Sequence, residues 1–359
     1  MESLVPYEGL GFADITMIGH FSYEAEERLN LMKQVSMAFP VCAMADESAF
    51  FIRDTQVTCL GEIHWIEKGE IKPFSPNMIM RGRDAMTIRL IASDLDGTLY
   101  HDDKTISERT KNTLAEAAQR KICFVPVTGR SILGVDRLIR ELPWIRYVIT
   151  GNGARIYDLA SNTVIHEELL PAAQVIKMQE LSLTLPVACA CYIGDQGYIS
   201  RHDYDRLDAY LPDKNLLKDV RRLHEPVEDL AETLREKQQG VLKFQVYFSD
   251  ANLRKPVTDA FLNVFPEISA ASTLEYNVEI TSKNADKGNA LRVLCDHLHM
   301  PLSAAIAFGD GVNDMTLLSQ AGIGVAMRNS MAEVFSAADA VTDTNNHDGV
   351  ASYIEQHLL

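Results

Sequence analysis

Two aspartates, Asp94 and Asp96, come directly after an apolar, β-branched run at residues 88–92 and are followed by Gly97 and Thr98. A carboxylate at the end of a strand loses solvation, which is costly unless a cation or a hydrogen-bond donor compensates for it. In a parallel α/β sheet, ligands bind in the crevice beyond the carboxyl ends of the strands. We therefore expect the two acids to lie at the centre of a Mg²⁺-dependent site that handles phosphate.

Three further polar clusters flank predicted elements of the same sheet. One follows the predicted strand 122–127, one precedes the predicted helix 288–299, and one follows the predicted strand 304–308. Their sequences are Thr128-Gly129, Asn284-Ala285-Asp286-Lys287-Gly288 and Gly309-Asp310-Gly311-Val312-Asn313-Asp314. Because ligands of parallel sheets bind at one edge of the sheet, these clusters are candidates for the same site as the two aspartates.

The residue types in these clusters match the requirements of phosphoryl transfer to a carboxylate. That reaction needs an anionic nucleophile, a metal that screens it from the phosphate, and fixed donors for the phosphoryl oxygens. It also needs an acid for the leaving oxygen. Asp94, Asp96 and Asp310 offer the oxygen ligands that Mg²⁺ prefers. Lys287 can supply a compensating cation, and Thr128 can supply a hydroxyl and backbone donors.

The order of predicted elements indicates a parallel-sheet domain that is interrupted by a second domain. From residue 86 onward, strands and helices alternate, which is typical of a parallel sheet with right-handed crossovers. Between 157 and 283, strand-like runs joined by short turns predict an antiparallel sheet with helices on one face. The alternation of helix and strand then resumes. We therefore expect an α/β core from residues 86–156 and 284–359, with an α+β domain inserted at 157–283.

Residues 1–85 contain no chemical motif, and we treat them as an N-terminal extension of uncertain structure. The spacing of apolar residues predicts a helix over 25–38, and the run 50–66 is strand-like. Met86 is a natural beginning for the first core strand, and the preceding Arg81-Gly82-Arg83-Asp84 could be the translation of a purine-rich ribosome-binding site. We therefore hypothesise that this segment is an over-long gene start.

The composition predicts a soluble globular protein of a reducing compartment. The 359 residues are 47% hydrophobic and 23% charged, which allows a sizeable core. The formal net charge of −16 argues against nucleic acid or an anionic membrane as the main partner, because both attract clustered Lys and Arg. The six cysteines form no CxxC pair, and the N-terminus lacks a signal-peptide pattern. We expect a cytoplasmic protein with a small-molecule partner, and the sequence leaves its oligomeric state open.

Taken in order, the polar clusters resemble the four motifs of the haloacid dehalogenase-like (HAD) hydrolase superfamily. The matching segments are Asp94-Leu95-Asp96-Gly97-Thr98, Thr128, Lys287 and the run 309–314. The long insertion between the second and third motifs, together with Thr150-Gly151-Asn152-Gly153-Ala154, resembles the Cof-like subfamily with an α/β cap (type IIB). The resemblance implies a Rossmann-like parallel-sheet core with an inserted α+β cap. It also implies a Mg²⁺-dependent phosphatase of sugar phosphates, nucleotides or vitamin-derived phosphates that acts through an aspartyl-phosphate.

The resemblance further implies a role for each matched residue. Asp94 would be the nucleophile and a Mg²⁺ ligand, and Asp96 would be the general acid and base, with its backbone carbonyl on the metal. Lys287 would pair with Asp94 and the phosphate. Asp310 would complete the metal site, with Asp314 either as a further ligand or beside it. The phosphoryl oxygens would be bound by Thr128, Gly129, Lys287, Asn313 and the backbone of Leu95.

Two other activities fit parts of this pattern. A phosphomutase of the phosphomannomutase type shares the cap style and the paired acids, and incubation with a hexose 1-phosphate would identify it by formation of the 6-phosphate. The run 309–314 also resembles the hinge motif of P-type ATPases, which carry Asp-Lys-Thr-Gly-Thr and membrane helices. Because this sequence has the second acid Asp96 and no apolar span, we reject the ion pump.

Overall fold

The computed structural model describes residues 88–135, 139–140, 142–271 and 276–359, together with the backbone of six short strands between residues 16 and 73. The chain divides into two compact units, Met1–Thr87 and Ile88–Leu359. In the described part of the chain, no helix has the length and apolar character needed to cross a membrane.

The first unit contains a sheet and a hairpin. Its strands are β1 (Thr16–Ile18), β2 (Val41–Met44), β3 (Ala49–Arg53), β4 (Gln56–Leu60), β5 (Ile63–Glu67) and β6 (Glu70–Pro73). The sheet has the order β1-β2-β5-β6, and β3 pairs with β4. The strand-like run predicted at 50–66 is confirmed as three strands, whereas the helix predicted over 25–38 lies outside the described residues.

The second unit alternates strands and helices. Its strands are β7 (Leu90–Ser93), β8 (Cys123–Pro126), β9 (Tyr147–Thr150), β10 (Arg155–Asp158), β11 (Thr163–Glu167), β12 (Ala188–Ile193), β13 (Gln196–Ser200), β14 (His224–Val227), β15 (Val241–Tyr247), β16 (Ile268–Ala271), β17 (Asn277–Ser282), β18 (Ala305–Gly309), β19 (Ile323–Ala326) and β20 (Ala340–Val341). Its α-helices are α1 (Glu108–Gln119), α2 (Ala172–Ser182), α3 (Arg201–Asp205), α4 (Leu207–Tyr210), α5 (Lys214–Leu223), α6 (Leu230–Lys237), α7 (Arg254–Val264), α8 (Lys287–His297), α9 (Met315–Gln320) and α10 (Gly349–His357).

The core is a five-stranded parallel sheet with the order β20-β19-β18-β7-β8, as the alternating elements predicted. Helices cover both faces of it, so β7 is buried along its whole length. Because successive side chains of a strand point to opposite faces, Ile91 packs in one apolar cluster with Leu114 of α1, while Leu90 packs in another with Leu291 of α8. This packing holds the ends of β7, β8 and β18 side by side.

Strand β9 is not part of the parallel sheet, contrary to the sequence prediction. It forms an antiparallel three-stranded sheet with β10 and β11, and a bridge between Val127 and Ile149 joins it to the core. The turn Gly151-Asn152-Gly153 reverses the chain, because all three residues have positive φ angles. Strand β10 spans residue 157, so the boundary that we predicted for the inserted domain falls within this hairpin.

The inserted cap contains a six-stranded sheet with the order β14-β13-β12-β15-β17-β16. Its pairs are antiparallel except β13 with β14. One face packs against α2, α6 and α7 in an apolar cluster that includes Cys191 and Phe244. The sequence predicted helices on one face only, but α4 and α5 lie on the other, where Leu207 and Val220 pack against Ala190. The missed segment is rich in charged residues, so its apolar side was hard to recognise.

The packing around Gly153 yields a stability prediction. Gly153 has a φ of +99°, and a Cβ at this position would lie 2.2 Å from the carbonyl oxygen of Asp286. Gly194 is a matched control, because its φ is also positive (+59°) but a Cβ would come no closer than 3.9 Å to its nearest neighbour. Gly194→Ala should cost about 1–2 kcal/mol, the usual penalty of the left-handed region. Gly153→Ala should lower the free energy of unfolding further, and equal losses in urea unfolding would contradict the close approach.

Candidate active site

The predicted site residues meet at the carboxyl edge of the core sheet. Register places Ser93 beside Phe308 on one side and beside Pro126 on the other, so the residues that follow these strands are neighbours. The backbone of Asp94 donates to the carbonyl of Phe308 over 3.0 Å. The clusters after β7, β8 and β18 are therefore brought together, as the sequence predicted.

Lys287 is the buried cation of the site. Its side chain is fully buried, and its Nζ lies 2.6 Å from Asp94 Oδ1 and 2.5 Å from Asp314 Oδ1. It begins helix α8, where a positive charge opposes the helix dipole. Burial alone would lower the pKa of Lys287, but the charges of Asp314 and Asp94 and their hydrogen bonds raise it overall. Lys287 therefore stays protonated between two carboxylates.

Asp314 fixes the loop that carries Asp310. Its Oδ2 accepts the backbone N–H groups of Asp310 and Gly311, each over 2.9 Å, while its Oδ1 accepts from Lys287. Both of its carboxylate oxygens thus have partners within the chain. This arrangement favours the prediction that Asp314 supports the metal ligands over the prediction that it is itself a ligand.

The site carries more negative than positive charge. Asp94, Asp310 and Asp314 each offer a carboxylate oxygen, and these oxygens lie within 4.8 Å of one another. Burial, then Asp314 and Asp310, raise the pKa of Asp94 well above its usual value although Lys287 opposes the shift. Burial raises the pKa of Asp310 to about 6, although Thr98 Oγ1 donates to it over 2.6 Å. A cluster of hard oxygen donors with excess negative charge fits a divalent cation such as Mg²⁺.

Asp96 points away from this cluster and is paired with two cations. Arg130 binds it through Nε and Nη2, at 2.7 and 2.6 Å, and Lys104 Nζ lies 2.8 Å from its Oδ1. Burial raises the pKa of Asp96, but the bonds and charges of Arg130 and Lys104 outweigh burial and lower the pKa overall. The side chain is 37% exposed. Because both side-chain oxygens of Asp96 are paired, its backbone carbonyl is the group that remains for the predicted contact with the metal.

Arg130 and Lys104 are site residues that were not predicted from the sequence. Arg130 directly follows the Thr128-Gly129 motif, and this position at a strand end was a usable signal. Lys104 lies eight residues after Asp96 in a turn, with a φ of +65°. No pattern in the sequence identifies its partner, because the contact depends on how that turn folds back.

The residues predicted to bind phosphate differ in which hydrogen-bonding groups they can offer to it. Thr128 is buried, and its N–H donates to the carbonyl of Ile149. Its hydroxyl oxygen accepts from the backbone of Arg130 over 3.1 Å, which leaves the hydroxyl hydrogen for a ligand. Leu95 is buried in the apolar core, so only its backbone can take part. The amide of Asn313 donates to Asn152 Oδ1 over 3.0 Å.

The buried position of Lys287 yields a prediction that separates it from surface lysines. Lys287→Met would leave Asp94 and Asp314 without their shared cation, so we expect a loss of roughly 3–5 kcal/mol in the free energy of unfolding. Lys111→Met is the matched control, because Lys111 pairs with an 81% exposed Glu108 and such pairs contribute at most about 1 kcal/mol. Urea unfolding of both variants checks the comparison. Losses of similar size would show that Lys287 does not neutralise a buried pair.

Comparison with known proteins gives the family. A model of the haloacid dehalogenase-like hydrolases matches residues 91–354. Phosphatase YwpJ of Bacillus subtilis is 29% identical, covering 76% of this chain and 100% of the relative. The phosphatase YcsE of the same organism, named for 5-amino-6-(5-phospho-D-ribitylamino)uracil, is 27% identical, covering 77% and 98%. A solved haloacid dehalogenase-like hydrolase from Bacteroides thetaiotaomicron superposes with a TM-score of 0.65 at 30% identity, covering 75% and 98%. The chain therefore belongs to the haloacid dehalogenase-like hydrolase family.

Proposed function

We propose that this protein is a Mg²⁺-dependent phosphatase that hydrolyses small phosphorylated metabolites through an aspartyl-phosphate on Asp94. The observation that carries the proposal is the contact of buried Lys287 with one oxygen of Asp94, next to a cluster of acids. A carboxylate held in this way presents its second oxygen to a phosphoryl group with little solvation to lose. Relatives named as phosphatases support the same reaction.

Asp94, Asp310 and the backbone carbonyl of Asp96 are the groups that would hold Mg²⁺, with Asp314 fixing the loop of Asp310. When bound, the metal supplies charge screening between the nucleophile and the phosphate. The positive charge of Lys287 acts on the same pair of anions. The Thr128 hydroxyl, together with the backbone of Leu95 and Gly129, would orient the phosphoryl oxygens.

Asp96 would move the protons of both half-reactions. When Asp94 attacks phosphorus, the P–O bond to the leaving group breaks, and Asp96 gives its proton to the leaving oxygen. In the second half, Asp96 takes a proton from water as the water oxygen attacks phosphorus, which releases inorganic phosphate and restores Asp94. Arg130 and Lys104 keep Asp96 ionised in this structure. Asp96 must therefore leave these contacts before it acts as an acid.

The position of the cap favours a small substrate. Its sheet contacts the loop after core strand β8 through Lys243 and Gly129, and Tyr192 and Leu242 pack with Ala154 and Ala285. Such a lid excludes water and limits the size of the leaving group. The net charge of −16 and the relative named for a ribitylaminouracil phosphate also support a small metabolite over a nucleic acid.

Replacement of the two acids should affect turnover differently. Asp94→Asn removes the nucleophile, so release of phosphate from a panel of phosphorylated metabolites should fall to background. Asp96→Asn should slow release by roughly 10²–10⁴-fold, the usual contribution of a positioned acid and base. Asp296→Asn is a matched control, because this exposed carboxylate lies at the other end of helix α8 from Lys287 and should leave turnover unchanged. Clear residual activity in Asp94→Asn would remove Asp94 as the nucleophile.

Metal removal tests the cofactor. Treatment with EDTA should abolish phosphate release, and addition of Mg²⁺ in excess should restore it, because the clustered carboxylates would otherwise repel the substrate. Circular dichroism of the EDTA-treated protein serves as the control that the fold is kept. Full activity in EDTA would overturn the metal part of the proposal.

A further inference from the structure

The cap sheet has a polar face that is buried. Along β15 and β17, alternate residues point to this face, and register pairs Gln245 with Glu279. Lys243 is 3% exposed, Gln245 6% and Glu279 5%. Charged residues are almost never this buried unless they are paired. The opposite face of the same strands packs in the apolar cap core, as Phe244 does.

Lys243 connects the cap to the loop after core strand β8. Its Nζ lies 2.6 Å from Glu279 Oε1 and also donates to the carbonyl of Gly129 over 2.8 Å. Gln245 Nε2 donates to the same Glu279 oxygen over 2.9 Å. Lys243 therefore fixes the peptide between Gly129 and Arg130, next to Thr128, whose hydroxyl is the proposed hydrogen-bond donor to phosphate.

The second oxygen of Glu279 connects the cap to the loop after β18. Glu279 Oε2 accepts from Asn152 Nδ2 over 2.9 Å, and Asn152 Oδ1 accepts from Asn313 Nδ2 over 3.0 Å. Asn152 is held in the left-handed region, with a φ of +57°. Hydrogen bonds thus run from Gly129 through Lys243, Glu279 and Asn152 to Asn313, and they join two loops of the site by way of the cap.

Stability alone does not account for this arrangement. A buried ion pair costs so much desolvation that apolar residues of similar volume often stabilise a protein equally well or better. A non-glycine residue in a strained backbone conformation, such as Asn152, adds a further cost and is typical of functional sites. The buried ion pair and Asn152 both lie where the cap contacts the loops of the site.

We propose that Lys243 and Glu279 are positioning residues of the cap. They hold the Gly129 carbonyl and the Asn152–Asn313 pair. The docked cap therefore adds to the direct backbone bonds between loop 128–130 and turn 149–152, and it completes the working geometry of the two phosphate-binding loops. This inference rests on the proposed phosphatase function. It assigns to two cap residues a role in phosphate binding that is separate from any contact with the leaving group.

The test compares Lys243→Met and Glu279→Gln with Phe244→Leu. The control substitution lies next to Lys243 on the same strand but faces the apolar core of the cap, so it destabilises the cap without removing a bond to the loops. Hydrogen exchange of the 128–130 amides is measured for each variant. Turnover of p-nitrophenyl phosphate and its inhibition by inorganic phosphate are measured with Mg²⁺ present.

We expect Lys243→Met and Glu279→Gln to speed amide exchange at 128–130, to lower kcat by about 10²-fold, as misplaced groups do, and to weaken inhibition by phosphate. Phe244→Leu should lower the melting temperature and leave these quantities near the parent values. The inference is overturned if exchange at 128–130 is unchanged in Lys243→Met, or if it changes equally in the control. Unchanged kcat and inhibition in an active enzyme also overturn it. A parent without phosphatase activity would refute the proposed function, and the exchange comparison would still decide this inference.

Discussion

The ammonium group of Lys287 is the charge on which the rest of the site depends. It lies in a fully buried position between Asp94 and Asp314, so its single positive charge offsets part of the cost of burying two carboxylates together. Through Asp314 it holds the loop of Asp310, and through Asp94 it reaches the end of β7. The dense packing of the sheet on both faces gives these groups fixed positions, and the excess of carboxylates then creates a place for a cation.

Two acids separated by one residue have opposite electrostatic surroundings. Asp94 faces inward among acids, and burial raises its pKa, whereas Asp96 faces outward to Arg130 and Lys104, which lower its pKa. The side chains of Asp94 and Asp96 have different partners, so one loop can supply both proposed groups, a buried nucleophile and a partly exposed group for proton transfer. Environment, more than residue type, separates the two proposed roles.

The parts of the site that lie at the ends of parallel strands could be predicted from the sequence. The parallel sheet and the meeting of Asp94 and Asp310 could be predicted, because carboxyl ends of parallel strands share an edge. Lys287 could be assigned to the same site because phosphoryl transfer to a carboxylate needs a compensating cation. The hairpin at β9 was missed, since its reversal depends on positive φ angles at 151–153. The Lys243–Glu279 pair was missed as well, because it depends on the register of two strands far apart in the chain. Its signal in the sequence was that each of the two strands contains a single charged residue, Lys243 in β15 and Glu279 in β17.

The insertion of the cap between β8 and β18 also determines when the site can assemble during synthesis. Central strand β7 pairs with β18, and Asp94 is separated from Lys287 by 193 positions. At about 5–20 residues per second, the ribosome makes Lys287 roughly 10–40 s after Asp94. The acids of β7 therefore emerge long before their cation. The cap, which has its own apolar cluster, is synthesised completely before strands β18, β19 and β20 of the core sheet. Completion of the core sheet waits for the last fifth of the chain, so a truncated product would carry the cap but not the site.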